Sequence, residues 1–189
     1  PSRPPSPSGR PPSKTKFSQL NIFKKKSTRT IWAVVPAAGI GSRFGADIPK
    51  QYCQIHGKTI LDISLSKMLA VPNIEGVVLA LAKDDPFWPQ STHFGNPKIK
   101  LVDGGKERAD SVLNGLNYLQ SIAADTSVWV LVHDAARPCV LINRIEALIE
   151  VAKQDEQGAM LAVPVADTLK RSVQGTDRIE KTVSRENIW

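Results

Sequence analysis

The chain has 189 residues and a formal net charge of +7, which indicates one domain and, at first sight, an affinity for nucleic acid. The distribution of the charge argues against that class. Nine of the 25 basic residues precede Asp47, the first acidic residue. The rest of the chain has 16 basic and 18 acidic residues, so its charges nearly balance. No apolar run approaches the roughly 18 residues that a membrane span needs. Two cysteines, Cys53 and Cys139, have no partner at metal-ligand spacing and suit a reducing compartment. We therefore expect no nucleic-acid and no membrane partner.

Residues 1–29 form a basic segment rich in Pro and Ser. Such a composition buries too little apolar surface to offset the entropy lost on ordering. The segment is therefore predicted to be a disordered tail, and residues 30–189 to form the domain. A basic leader without acidic residues also resembles an organelle transit peptide. The expected location is the bacterial cytoplasm, with the plastid stroma as the alternative.

From residue 30 onward, short apolar runs alternate with patterns of helical spacing. The helical patterns predict helices around Leu61–Leu69, Val112–Leu119 and Leu141–Ala152. The apolar runs predict strands at residues 31–36, 76–81, 99–102, 128–132 and 159–163. Near-continuous aliphatic strands separated by helices indicate an α/β fold, in which helices cover both faces of a mostly parallel sheet. Ligands of such sheets bind beyond the carboxyl ends of the strands, so the loops that follow the strands are the places to search.

The first loop, residues 36–45, is rich in small residues. The small residues Ala37, Ala38, Gly39 and Gly41 let backbone N–H groups approach an anion closely, as a triphosphate requires. The dinucleotide-binding fingerprint is excluded by Phe44, and a P-loop by the missing Gly-Lys-Ser/Thr ending. Two cations, Arg43 and Lys50, stand seven residues apart and can approach a phosphate from two sides. The first loop is therefore predicted to bind phosphate.

The pattern Ala-Ala-Gly-x-Gly-x-Arg-Phe, followed by Pro-Lys-Gln-Tyr, resembles the nucleotidyltransferase superfamily that activates sugars and polyols. It is most similar to the 2-C-methyl-D-erythritol 4-phosphate cytidylyltransferase family of non-mevalonate isoprenoid biosynthesis, from about Ile31 to Trp189. The resemblance implies a Rossmann-like three-layer α/β/α fold of the nucleotide-diphospho-sugar transferase type with a protruding β-arm. It also implies that Arg43 and Lys50 are catalytic and stabilise the transition state. The nucleotide contacts that it implies in this loop are Pro36, Ala37, Ala38, Gly39 and Gly41.

The second loop, residues 102–112, has the sequence Val-Asp-Gly-Gly-Lys-Glu-Arg-Ala-Asp-Ser-Val and matches the same family. Gly104 and Gly105 give an open turn against which a flat base can lie. Ser111 falls near the start of a helix, where its hydroxyl can cap the helix or bind a ligand. The resemblance favours cytosine and ribose contacts for Gly104, Gly105 and Ser111. Arg108 can contact the ligand or act as a structural clasp.

The third loop, residues 133–138, has the sequence His-Asp-Ala-Ala-Arg-Pro and follows an apolar strand. A lone carboxylate at the end of a strand suits Mg²⁺, which commonly takes only one or two protein carboxylates beside phosphates. Asp134 is therefore the predicted metal ligand, whereas His133 is expected to be structural. Arg137 can pair with a carboxylate or touch the phosphates. The resemblance implies that Asp134, Ala135 and Arg137 lie close to the nucleotide.

Alternating residues around Gly175 predict an extended hairpin with little apolar surface. The resemblance implies that residues 165–187 form an arm that crosses to a second subunit of a homodimer. Thr168 and Arg185 match the positions that bind the polyol phosphate there, and Arg185 holds the attacking phosphate. The family continues beyond Trp189 with a second metal-binding carboxylate and a substrate-positioning lysine, so we expect this chain to be part of a longer protein.

The reaction that the resemblance implies is transfer of CMP from CTP to 2-C-methyl-D-erythritol 4-phosphate, with Mg²⁺ as cofactor. Two alternatives stay open at this point. One is a ribitol-5-phosphate cytidylyltransferase of the same superfamily, although the pair Ala135-Ala136 favours the erythritol enzyme. The other is a nucleotide-binding module without catalytic activity.

Overall fold

The computed structural model describes residues 29–39, 48–123, 128–155 and 157–189. The predicted tail, apart from Arg29, lies outside these ranges. None of the described helices is long and apolar enough to cross a membrane. The strands are β1 (Thr30–Pro36), β2 (Gln54–Ile55), β3 (Lys58–Thr59), β4 (Ile74–Leu81), β5 (Ile99–Asp103), β6 (Val128–Val132), β7 (Leu169–Ser172) and β8 (Ile179–Val183). The α-helices are α1 (Ile60–Leu69), α2 (Arg108–Ile122) and α3 (Ile142–Ala152).

Four strands form a parallel sheet in the order β5-β4-β1-β6. The central strand β1 pairs with β4 through Val34 and Val78, and with β6 through Val34 and Val132. From Gly76 to Leu81, β4 is buried without interruption, as expected for a strand whose two faces both carry helices. The parallel sheet predicted from the sequence is confirmed.

Two apolar clusters lie on opposite faces of the sheet and give the fold its three layers. On one face, residues of α1 and α3 such as Leu65 and Ile149 pack against β1 and β4. On the other face, Leu119 of α2 packs against Val34 and Val78. The helix α2 lies close to β1 at Gly115, where an added Cβ would come within 2.7 Å of Val34 Cγ1. The predicted three-layer architecture is confirmed.

The starts of α1 and α2 are fixed by local hydrogen bonds. Thr59 caps α1, because its Oγ1 accepts a hydrogen bond from the Asp62 amide at 3.0 Å. At the start of α2, Glu107 and Asp110 form a reciprocal capping box, with the Glu107 amide 3.0 Å from Asp110 Oδ2. The capping box fixes the orientation in which Arg108 and Ser111 leave the second loop.

The prediction of a strand at residues 159–163 is wrong. The chain there has no regular secondary structure, and Met160 and Val163 are 82% and 76% exposed. Within the described residues, no strand pairs with this segment. A strand needs hydrogen-bond partners from a neighbour, and an apolar run does not reveal whether a neighbour is there.

The predicted hairpin is present as β7 and β8. It pairs Leu169 with Val183 and turns near Gly175, whose φ of +75° is readily adopted only by glycine. The amide of Val165 donates to the carbonyl of Ile188 at 3.0 Å and closes the base of the hairpin.

Candidate active site

The carboxyl ends of β1, β5 and β6 lie at one edge of the sheet, because its four strands run parallel. Each of the three loops begins with a backbone hydrogen bond to a neighbouring strand. These bonds join Ala37 N to Ala80 O (2.8 Å), Gly104 N to Leu81 O (2.6 Å) and His133 N to Val34 O (3.0 Å). The loops predicted to form the site therefore start from the same edge.

The first and second loops touch at Gly104. A Cβ added to Gly104 would lie 2.1 Å from the Cβ of Ala38, 3.1 Å from the carbonyl oxygen of Leu81 and 3.3 Å from Ser111 Oγ. Any side chain at this position would force the two loops apart. Glycine at position 104 is thus a requirement of close packing.

The described part of the first loop presents backbone N–H groups. Within the described residues, the amides of Ala38 and Gly39 donate to no acceptor. Apart from the chain neighbours of Gly39, no atom of the described residues lies within 4 Å of the place where its Cβ would stand. Free amides beside open space suit an anion. Gly41 and Arg43 lie outside the described residues, so their predicted roles stay predictions.

The 3₁₀ turn Lys50–Tyr52 lies against the first loop. Its Gln51 is buried, and the side-chain Nε2 donates to the carbonyl oxygens of Ala37 (2.8 Å) and Gly39 (3.1 Å). The neighbouring Lys50 is exposed. The turn therefore holds the loop with one side chain and leaves an ammonium group free to meet a ligand.

In the second loop, the hydroxyl of Ser111 binds the protein itself. Ser111 is 3% exposed, accepts a hydrogen bond from the Gly105 amide at 3.0 Å, and donates to the Glu107 carbonyl at 3.3 Å. Glu107, rather than Ser111, is the N-cap of α2. The observed contact orders Gly105, and the predicted contact of Ser111 with a nucleotide stays a prediction.

Two arginines surround Asp134 of the third loop: Arg108 comes from the second loop and Arg137 from the third loop itself. Arg108 places Nε and Nη2 2.7 Å from Asp134 Oδ1, and Arg137 places Nε 2.8 Å from Oδ2. Partial burial by itself would raise the pKa of Asp134, but the hydrogen bond and charge of Arg108, together with Arg137, lower it overall. Arg108 thus acts as a clasp between the two loops, one of the two roles considered from sequence.

His133 has a structural contact. Its Nε2 lies 3.1 Å from the carbonyl oxygen of Arg137. Burial lowers the pKa of His133, against the opposing effects of that hydrogen bond and of Asp134. A neutral ring can donate its Nε2–H to the carbonyl, so the ring braces the turn of the third loop.

The helix α1 also holds the third loop. Ser64 is fully buried, and its hydroxyl donates to the carbonyl of Ala135 at 2.8 Å. Lys67 Nζ donates to the carbonyl of Val140 at 2.7 Å. Sequence reasoning missed Gln51, Ser64 and Lys67. Two signals were available: Gln51 stands in the Pro-Lys-Gln-Tyr motif, and Ser64 is a polar residue on the apolar stripe of a helix.

The two predicted substrate residues lie on the hairpin and away from these contacts. Thr168 and Arg185 are exposed, and Arg185 donates to the carbonyl of Ala166 at the base of the hairpin. In the described part of this single chain, neither residue forms a hydrogen bond or ion pair with the three loops.

The sequence profile of the 2-C-methyl-D-erythritol 4-phosphate cytidylyltransferase (IspD) family matches residues 31–189. The chain belongs to this family. Among its relatives, the IspD protein of Vibrio atlanticus (strain LGP32) is 50% identical over 161 residues, which cover 85% of this chain and 67% of the relative. That of Pseudomonas putida (strain GB-1) is 48% identical over 158 residues, which cover 84% and 67%.

Solved IspD structures have the same fold. The crystal structure of Francisella tularensis IspD is 40% identical, has a TM-score of 0.69, and is matched over 85% of this chain and 68% of that one. A crystal structure of a 4-diphosphocytidyl-2C-methyl-D-erythritol synthase is 34% identical, with a TM-score of 0.71 and coverage of 85% and 70%. The predicted fold and the cytidylyltransferase class are confirmed.

Proposed function

We propose that the protein transfers CMP from CTP to 2-C-methyl-D-erythritol 4-phosphate, giving 4-diphosphocytidyl-2-C-methyl-D-erythritol and pyrophosphate. Membership of the IspD family supports this reaction. The structural observation that supports it most is the meeting of three loops at one edge of the sheet. Gly104 packs on Ala38, and Arg108 joins the second loop to Asp134 in the third.

The triphosphate of CTP is proposed to bind at the first loop, where the amides of Ala38 and Gly39 are free to donate among the described residues. Gly104, Gly105 and Ser111 would contact cytosine and ribose. Asp134, Ala135 and Arg137 would lie beside the phosphates. The cations Arg43 and Lys50 would face the α-phosphate and the leaving pyrophosphate.

The chemistry is an in-line displacement at the α-phosphorus. A phosphate oxygen of the polyol substrate forms a new bond to this phosphorus, and the bond from the phosphorus to the oxygen bridging to the β-phosphate breaks. The attacking oxygen is already anionic, so no side chain has to remove a proton. Catalysis therefore consists of alignment and charge stabilisation. Lys50 and Arg43 would stabilise the charge that develops on the α-phosphate and on pyrophosphate.

Mg²⁺ is the proposed cofactor, and Asp134 is the side chain that would hold it. A hard cation of this kind commonly takes only one or two protein carboxylates beside substrate phosphates, so a single carboxylate just after β6 is sufficient on the protein side. Bound there, the ion would neutralise phosphate charge. Both oxygens of Asp134 contact arginines. Arg108 or Arg137 would therefore have to move away from the carboxylate or share it with the ion.

The remaining assignments concern the whole protein. Residues 1–29 are proposed as a tail and residues 30–189 as part of the catalytic domain, with residues 165–187 as an arm that joins two subunits. In the partner's site, Thr168 and Arg185 would bind the polyol phosphate, and Arg185 would be catalytic. The proposed location is the bacterial cytoplasm, with the plastid stroma as the alternative.

A pyrophosphate-release assay of the intact protein tests the proposed reaction. The protein is incubated with CTP and Mg²⁺, and with either 2-C-methyl-D-erythritol 4-phosphate or ribitol 5-phosphate. Release that depends on the erythritol substrate is expected. A preference for ribitol 5-phosphate would reassign the substrate, and CTP binding without release would indicate a module without catalytic activity.

Substitution of Lys50 tests the catalytic assignment. Lys50→Ala should lower kcat by roughly 100-fold, the scale for losing one preorganised donor. Lys58→Ala, which removes an exposed lysine of β3, serves as the matched control and should retain the rate of the wild type. A normal kcat in Lys50→Ala would contradict the assignment.

A further inference from the structure

The side chain of Gln51 makes two hydrogen bonds to the backbone of the first loop. The side chain is 4% exposed, and its nitrogen donates to two carbonyl oxygens of the first loop, Ala37 O at 2.8 Å and Gly39 O at 3.1 Å. A side-chain amide nitrogen carries two hydrogens, so both donors of the Gln51 side chain are used on the first loop. The two carbonyls belong to residues 14 and 12 positions earlier in the chain.

These contacts fix the direction of the loop's peptide groups. In a trans peptide, the C=O and N–H groups point to opposite sides, and the described residues contain no cis peptide bond. The N–H of Ala38 shares a peptide plane with the carbonyl of Ala37, which points at Gln51. This N–H therefore points away from Gln51, and among the described residues it donates to no acceptor.

Among the described residues, Gln51 is the only hydrogen-bond partner of the Gly39 carbonyl. Chain neighbours aside, no described atom lies within 4 Å of the place of a Cβ at Gly39. A rotated carbonyl would turn an oxygen toward the phosphates and repel them. The donor on Gln51 opposes this rotation.

The turn that carries Gln51 is itself anchored. Tyr52 is buried, and its ring lies 5.0 Å from the ring of Phe87. Lys50 is exposed on the same turn. Gln51 therefore sets the position of the first loop relative to the adjacent ammonium group.

We propose that Gln51 is a positioning residue: by holding the carbonyls of Ala37 and Gly39, it turns the N–H of Ala38 toward the triphosphate of the nucleotide and keeps the Gly39 carbonyl turned away from it. The inference rests on the proposed function. Gln51 does not have to touch substrate, and it acts through the peptide groups of Ala37 and Gly39.

Binding of CTP and of cytidine can distinguish this role from general support of the fold. Loss of the positioning role should weaken binding of the triphosphate alone, whereas a damaged fold should weaken binding of both ligands. In the intact protein, Gln51→Met keeps the length of the side chain and removes both donors. Its affinity for CTP, measured by titration calorimetry with Mg²⁺, should fall roughly tenfold, the scale of one or two lost hydrogen bonds. Its affinity for cytidine, which lacks phosphates, should stay within about twofold of the wild type.

Tyr52→Phe is the matched control on the next residue. The buried hydroxyl of Tyr52 lies near Asp85, without a hydrogen bond of standard geometry, and makes no hydrogen bond to the described residues of the first loop. Phe retains the ring. This variant should bind CTP and cytidine as the wild type does.

Gln51→Glu gives a second readout if Gln51→Met folds poorly. An ionised Glu cannot donate, whereas a protonated Glu can donate one hydrogen bond. Burial and facing carbonyl oxygens raise the pKa of a carboxyl group. The rate of pyrophosphate release by this variant, relative to the wild type, should therefore increase as the pH falls from 8 to 6.

The outcomes for the inference and for the proposed function differ. An equal loss of CTP and cytidine affinity in Gln51→Met, or unchanged CTP affinity, would overturn the positioning role and leave the reaction standing. A flat relative pH profile of Gln51→Glu would also count against it. Failure of the wild type to bind CTP would overturn the proposed function and the inference together.

Discussion

At the scale of single residues, the charge of Asp134 is set by its two arginines. The carboxylate is partly buried, and burial alone favours the neutral acid, yet Arg108 and Arg137 hold the pKa below its usual value. Asp134 therefore stays ionised at neutral pH, as a ligand for a cation must. The same contacts join two loops, so the charge that suits the proposed chemistry also orders the site.

We expect Asp134 to make stability depend on pH. Since its pKa in the folded protein is lower than in the unfolded chain, its contribution is fully present above the unfolded pKa and is lost as pH falls through the folded pKa. Asp134→Asn should therefore be less stable than the wild type at pH 7, and its stability should decline less steeply below about pH 4. Urea unfolding at a series of pH values measures both effects.

Glu150→Gln is the control for this experiment. Glu150 forms an exposed pair with Lys153 at 2.7 Å on α3, and exposed pairs contribute little to stability. Its pH profile should follow the wild type. An equally steep decline in the wild type and Asp134→Asn would show that Asp134 adds no pH-dependent stability.

At the scale of elements, the close contact between the first two loops predicts that a side chain at position 104 lowers stability. Gly104→Ala places a Cβ 2.1 Å from the Cβ of Ala38, so it should lower the free energy of unfolding by roughly 1–3 kcal/mol, as overpacking does. It should also weaken CTP binding, because the loops must separate. Thermal or urea unfolding and calorimetric titration with CTP measure these changes.

Two further variants test whether the contact with Ala38 causes the expected loss of stability in Gly104→Ala. Gly39→Ala adds a methyl group at a place where, chain neighbours aside, no described atom lies within 4 Å, so the stability of this variant should match the wild type within about 0.5 kcal/mol. In the double variant Gly104→Ala with Ala38→Gly, the colliding Cβ is gone, and part of the lost stability should return. No recovery in the double variant would mean that the Ala38 contact is not the reason for glycine at position 104.

Sequence patterns predicted the elements that depend on local spacing and missed the contacts that depend on distant neighbours. The apolar run at residues 76–81, set between segments of helical spacing, predicted a strand covered by helices on both faces, and the burial of β4 confirms it. Residues 159–163 have the same apolar character, but the described residues supply no strand to pair with them. Gln51 was missed because its contacts lie 12 and 14 residues away, a relation that only the folded chain reveals.

At the scale of the whole molecule, the hairpin β7–β8 stands out by its exposure. Most of its residues are exposed, and at its base Arg185 binds the carbonyl of Ala166. A two-stranded ribbon without a buried face is marginally stable alone. This exposure supports the proposal that the hairpin serves a second subunit, and a mixing experiment can test it.

Two variants of the intact protein, Lys50→Ala and Arg185→Ala, should each be nearly inactive, because each removes a cation proposed to stabilise or hold the reacting phosphates. If Arg185 serves the partner's site, a mixed dimer contains one site with both cations. Such a site combines Lys50 from one chain with Arg185 from the other. Unfolding and refolding the two variants together in equal amounts should then restore about a quarter of wild-type activity, because about half of the dimers are mixed and each has one intact site.

The control is each variant unfolded and refolded alone, which should stay inactive. Recovery in the mixture alone requires that the two cations of one site come from different chains, since no single chain in the mixture carries both. If Arg185 acted within its own subunit, every site would lack Lys50 or Arg185, and the mixture would be as inactive as its components. An inactive mixture that contains mixed dimers, shown by native mass spectrometry, would therefore place Arg185 in the site of its own chain.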